Sequence, residues 1–173
     1  MGYTHYWRQL RDFTDTEWQE LMRLTKLITA SSGRDIILSE FNINNEEIRF
    51  NGYGEEGPET FLITKKKRAK RQYEEQEAYD RQGAFEFCKT AHKPYDKYVV
   101  AVLCALYNMA GQKEWPLGDG KIMSISSDGN TEDWTEGLFH AVRSTREEEM
   151  LCPIRDCLTL SYVDYIDQEK KTG

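Results

Sequence analysis

The run Tyr98–Leu106 (YVVAVLCAL) is the longest apolar stretch of a chain in which 31% of residues are charged, and no other feature restricts the fold as much. Lys93-Pro94-Tyr95-Asp96 stands just before it, and proline suits a first helical turn because its missing N–H has no partner to lose there. The spacing therefore predicts a helix over 95–110. Apolar on nearly every side, it requires cover all round, so it is expected at the centre of the molecule. At nine residues the run is far too short for a bilayer span, which needs about 20.

The other elements must pack around this helix. Gly2–Trp7 alternates, with Tyr3, His5 and Trp7 on one side and Thr4 and Tyr6 on the other, and reads as a strand. Thr14-x-x-Glu17 is a capping box opening a helix over 15–31, whose Trp18, Leu21, Met22, Thr25 and Ile28 fall at helical spacing. Ile36–Leu38 and Glu47–Asn51 are strand candidates. The turn Gly52, Gly54, Gly57, Pro58 then leads to Thr60–Thr64, which pairs with the second of them as a hairpin. Lys65–Arg71 (KKKRAKR), followed at once by Glu74, Glu75 and Glu77, reads as a solvated charged connector, helical or mobile, rather than a nucleic-acid or localisation signal. Ala84–Thr90 alternates again. Lys121–Ser127 is a strand, and a helix follows Asp128-Gly129-Asn130 with Trp134, Leu138, Ala141 and Val142 on its apolar face. Leu158, Leu160 and Tyr162 alternate as a weak strand.

The expected fold is α+β, in the order β-α-β-β-β-β-α-β-α: one largely antiparallel sheet with about three helices packed on one face. Residues 1–150 are expected to form a single domain, with 151–173 a C-terminal appendage packed on it or extending from it.

Net charge is −7, which favours solubility and opposes non-specific attachment to DNA, so nucleic acid is not the expected partner. The N-terminus carries neither a signal-peptide nor a myristoylation pattern, and the expected location is the cytoplasm with no membrane partner. Cys88, Cys104, Cys152 and Cys157 are expected to be thiols. Cys152-x4-Cys157 has no matching Cys or His pair, so no metal or other cofactor is expected.

Phe87–Asp96 runs from a strand through a short basic loop into the central helix, a junction that offers free N–H groups and the positive end of a helix dipole. Lys89, Thr90 and Lys93 are the candidate anion ligands. Tyr3, His5 and Trp7 are candidate rings for stacking, and Asp128 stands at a second strand-to-helix junction with the same design. The bland readings are that Asp96 caps its helix and that the rings fill the core. A Cys88–His92 nucleophile–base pair lacks any spacing that would demand it.

The blocks Gly2–Trp7, Arg49–Gly52, Glu59–Phe61, Phe87–Asp96 and Ser126–Trp134 resemble, in that order, a family of small phage and bacterial proteins without an established activity. The resemblance implies a source and a single-domain layout. The position of His92 is usually Arg in that pattern, which suits an anion-facing loop and not a general base.

The leading expectation is a phage-type accessory protein that binds a small phosphorylated, nucleotide-like ligand, sequestering a host defence signal in the host cytoplasm. One alternative is an acidic inhibitor of a host defence protein. The other is a small enzyme on a phosphorylated or acyl substrate using His5, Cys88 or Asp128.

Overall fold

A computed structural model describes residues 2–34, 36–111, 122–147, 150–154, 159–160 and 170–171. The elements are β1 (Thr4–Gln9), α1 (Asp15–Thr29), β2 (Leu38–Ile43), β3 (Glu47–Gly52), β4 (Phe61–Thr64), α2 (Gln76–Gln82), β5 (Ala84–Lys89), α3 (Asp96–Gly111), β6 (Met123–Ser127), α4 (Thr131–Thr145), β7 (Met150–Leu151) and β8 (Thr159–Leu160).

The class is α+β, and every strand pairing is antiparallel. In place of one sheet the strands form two of three, ordered β5-β1-β6 and β2-β3-β4, with a two-stranded β7–β8 pair beside them. The described residues hold four helices where about three were expected, and the order is β-α-β-β-β-α-β-α-β-α-β-β. The reason is local at both departures. The strand expected at Ile36–Leu38 starts only at Leu38 and runs on to Ile43, because its partner β3 reaches back that far. The connector after β4, read as helical or mobile, is helical at its end and contributes α2.

That connector is held by its own charges. Arg68 donates from both terminal nitrogens to Glu74 (2.7 Å each), from Nε to Glu86, and to the Phe85 carbonyl (2.8 Å). The guanidinium pulls the Glu74 carboxyl down to about 2. Lys65 pairs with Asp15, Lys67 lies over the Tyr79 ring and Lys70 bonds the Glu74 carbonyl. The basic run is thus largely satisfied inside the chain, its arginines by Glu74 and Glu86 and its lysines by Asp15, a tyrosine ring and a carbonyl.

α3 lies at the centre. Every residue from Tyr98 to Leu106 is at most 2% exposed, because α1, α4, β6 and β7 pack on different sides of it. Its crossing with α4 is close enough to need Gly137: a Cβ there would lie 2.3 Å from Val100 Cγ1. α1 begins at the expected capping box, in which Thr14 and Glu17 exchange bonds. Burial raises the Glu17 carboxyl, but bonds from Arg11 and from Thr14 outweigh it and leave the group below its ordinary value. The C-terminal segment is drawn onto α3 by Asn108, whose amide donates to the Leu151 carbonyl (2.7 Å) and accepts from the Leu151 N–H (2.8 Å), as a neighbouring strand would. Met150, Cys152 and Ile154 join the core. Of the weak strand, Leu158 and Tyr162 lie outside the described residues, as does Cys157; Cys88, Cys104 and Cys152 are buried thiols.

Candidate functional site

β1 is the middle strand of its sheet, so its inner face lies under both helix-starting junctions. The β5–α3 loop turns sharply, with Ala91 (φ 51°) and His92 (φ 57°) in the left-handed region, where a side chain costs about 1–2 kcal/mol per residue. The turn points the Thr90 and Ala91 N–H groups at the Tyr3 carbonyl (3.1 Å each) and lays the His92 ring on the Tyr3 ring, centroids 3.6 Å apart.

Beneath that stack runs a chain of short hydrogen bonds. Asp96 Oδ1 receives the Thr90 hydroxyl (2.6 Å) and His5 Nε2 (2.6 Å), which fixes the imidazole proton on Nε2 because a carboxylate only accepts. Nδ1 is then the acceptor for the Ser127 hydroxyl (2.8 Å). Ser127 Oγ in turn receives the Gly129 N–H (2.9 Å) and Trp134 Nε1–H (3.2 Å). The connectivity is that of an Asp-His-Ser triad, yet its chemistry differs. With Cβ, one donated proton and two accepted N–H groups, Ser127 Oγ has a full tetrahedral complement and no lone pair for attack. His5 is fully buried. The arrangement is a fixed bracket that ties β1, β6 and the starts of α3 and α4 together.

Tyr3 closes one side of the bracket. It is 4% exposed, its edge meets His5, and a Cβ on Gly129 would lie 2.6 Å from its hydroxyl. That hydroxyl has no hydrogen-bond partner among the described residues. Burial, then the carboxylates of Asp96, Asp133 and Asp128, push its ionisation well above the ordinary range.

Beside the bracket, between the β5–α3 loop and α4, lies a groove of about 210 Å³. Its charged lining is Lys93 and Lys97 with Asp96, Asp133 and Glu136, and His92 stands at its edge. The cations and carboxylates together suit a ligand bearing both a negative group and hydroxyl or amino groups.

The sequence-derived site residues divide accordingly. Tyr3, His5 and Thr90 meet in the bracket, though as buried structural groups. Asp128 is adjacent, accepting from the Thr4 N–H (3.1 Å) and the Tyr6 hydroxyl (3.3 Å). Lys93 lines the groove and also reaches Glu56 (3.4 Å). Trp7 is a core residue against Phe61 and does not line the groove. Lys89 pairs with Thr4 across the strands and belongs to the opposite, outer face of the sheet. Asp96, expected as a helix cap, instead holds His5. Residue reading noted Ser127 and Asp133 only as polar groups of the Ser126–Trp134 turn, and it missed Lys97 and Glu136, for which helical spacing on the two facing helices was the signal.

Cys88 is fully buried beside the Tyr95 hydroxyl and the Glu59 carbonyl, and burial pushes its thiol up to about 12, the reverse of what a nucleophile needs. Glu59 also accepts the Tyr95 hydroxyl on its carbonyl (2.6 Å) and the Lys89 N–H on its carboxylate (2.7 Å), which brings the Glu59–Phe61 block to the same junction. Among the described residues no group of three or more His, Cys, Asp or Glu is placed to hold a metal ion, and no helix is long and apolar enough to cross a membrane. No protein-family model, curated protein or solved structure matches the chain.

Proposed function

We propose that this chain is a binding protein for a small phosphorylated, nucleotide-like ligand, held in the groove between the β5–α3 loop and α4. The observation that carries the reading is the adjacent left-handed pair Ala91–His92 at the groove edge. Strain of this kind persists where the surrounding structure enforces it, and here it sets Lys93 and the His92–Tyr3 stack beside a polar groove. In this reading Lys93 and Lys97 take the phosphate, Asp133 and Glu136 accept from sugar hydroxyls or base amines, and His92 offers a planar surface. Catalysis has weaker support, since Ser127 Oγ is saturated and the Cys88 thiol is held protonated. Sequestration of a host defence signal follows from the resemblance to phage proteins and rests on it alone.

Calorimetry against mononucleotides and cyclic dinucleotides tests the reading, with mass spectrometry of anything carried through purification. Two lost charge-assisted hydrogen bonds at about 1.5–3 kcal/mol each make Lys93→Ala with Lys97→Ala weaker by roughly 100-fold or more, with the melting temperature held. Equal affinity of wild type and double variant, or no affinity for any phosphorylated compound, sinks the proposal. The acidic-inhibitor alternative would then lead.

A further inference from the structure

Among the described residues of the junction, the Tyr3 hydroxyl is the side-chain polar atom that is buried without a hydrogen-bond partner. A buried donor left in this way is costly, and its surroundings show what could satisfy it. Ser127 Oγ is close to it but already saturated by His5, Gly129 and Trp134. His5, at the ring edge, has both nitrogens committed to Asp96 and Ser127. The Gly129 side is closed, since a Cβ there would lie 2.6 Å from the hydroxyl. What remains is the face of the ring, and the His92 imidazole lies on it (3.6 Å, 22°).

Of the two stacked rings, Tyr3 is fixed and His92 is not. Tyr3 is 4% exposed, and its carbonyl accepts from both Thr90 and Ala91. His92 is an exposed residue whose imidazole has no hydrogen bond or ion pair among the described residues. It lines the groove and Tyr3 does not, so the imidazole stands as a cover between the groove and the buried ring. The backbone that sets it there is left-handed at φ 57°, after φ 51° at Ala91. A loop that had only to turn would be less strained with glycine at either position.

We infer that Tyr3 and His92 are the two jaws of a ring clamp for a nucleobase: Tyr3 is the platform, His92 swings outward and closes over the far face of the base, and an acceptor beside that base takes the hydrogen of the Tyr3 hydroxyl. The clamp rests on the reading that the groove takes a phosphorylated ligand, and it narrows the class to nucleotides. Size supports the opening. The groove is about 210 Å³, below the roughly 300–1,000 Å³ of pockets that enclose a small-molecule ligand, so room for a base has to be made. Moving one exposed imidazole makes it, and exchanges a single stack for a base held on both faces. Charge sets the orientation. Asp96 and Asp133, at the groove wall nearest the hydroxyl, suit the amines of a base and direct the phosphate toward Lys97.

Calorimetry with AMP, GMP and ribose 5-phosphate, which has the sugar and phosphate without the base, tests the clamp. Wild type is expected to prefer AMP or GMP over ribose 5-phosphate by roughly five- to 100-fold. Tyr3→Phe keeps the ring and removes the unpartnered hydroxyl; it should weaken AMP binding roughly three- to tenfold while the melting temperature holds or rises. His92→Ala, which removes the other jaw, should cut the preference for AMP over ribose 5-phosphate. In NMR spectra the His92 ring protons should lie upfield in the free protein, move on addition of AMP, and show contacts with the base protons, as should the Tyr3 ring. Equal affinity for AMP and ribose 5-phosphate overturns the clamp and leaves the groove standing, whereas failure of all three compounds to bind takes down both. The clamp is also overturned if Tyr3→Phe and His92→Ala bind AMP like wild type, or if Tyr3→Phe melts lower, since the hydroxyl would then have a partner in the free protein.

Discussion

Two buried side chains show how single residues carry measurable consequences. His140 is 3% exposed, with Nε2 donating to the Ile28 carbonyl (2.7 Å) and Nδ1 accepting from Arg143 (3.0 Å). Burial, aided by Lys97 and Arg143, lowers its ionisation from 6.5 to about 4. A histidine lowered on folding is held neutral, so its contribution is complete above about pH 6.5 and is lost as pH falls toward 4. The loss approaches about 3 kcal/mol from this group. Melting temperatures between pH 7.5 and 4.5 should therefore fall more steeply for wild type than for His140→Gln, and parallel curves would show that other groups dominate. Ser127 is the second case. Replacing it with alanine leaves His5 Nδ1, the Gly129 N–H and Trp134 Nε1 without their partner, and each buried orphan costs about 1–3 kcal/mol. Denaturant titration should show a loss of at least about 2 kcal/mol. An unchanged midpoint would mean that Ser127 is not a structural hub, and would revive it as a nucleophile.

At the scale of elements, the α3–α4 crossing offers the clearest test. Gly137→Ala places a methyl group 2.5 Å from Val100 Cβ, an atom fixed to the backbone, so the helices must separate. Overpacking of this kind costs about 1–3 kcal/mol and exceeds the gain in helix propensity from alanine, about 1 kcal/mol. Val100→Ala in the same chain should recover part of the loss, and additive losses would contradict a direct clash. The elements also show what could be read in advance. α1 and α3 were legible because their signals are local: a capping box three residues wide, and an apolar run that no amphipathic surface helix would carry. α2 was legible only as the helical alternative for the charged connector, because its helix is short and buries no residue, so hydrophobic periodicity had nothing to report. β2 was misplaced because its sequence alternates poorly, and its extent is set by β3.

For the molecule as a whole, the split into two sheets escaped the sequence for a physical reason. Alternation reports which face of a strand is buried but not which strand lies beside it. β1 could have paired with the nearby β2, yet its neighbours are β5 and β6. The same limit governed the candidate site. Tyr3, His5, Thr90 and Lys93 were found because rings and basic groups stand out in a chain, and the structure brings them to one junction. Their roles were not legible, since the bonds that assign them join His5 to positions 91 and 122 residues away.

The placement of β1 between β5 and β6 also bears on how the chain is made. During synthesis the first strand emerges long before either neighbour, and Thr4 meets Asp128 only after a further 124 residues have followed. At about 5–20 residues per second, that interval is roughly 6–25 seconds, within which the β2-β3-β4 sheet can close on local contacts and β5 can take up one edge of β1, while the other edge still waits for β6. The nascent segment most in need of a chaperone is therefore its first few residues, and a translational pause after β6 would help the sheet close more than one after β1.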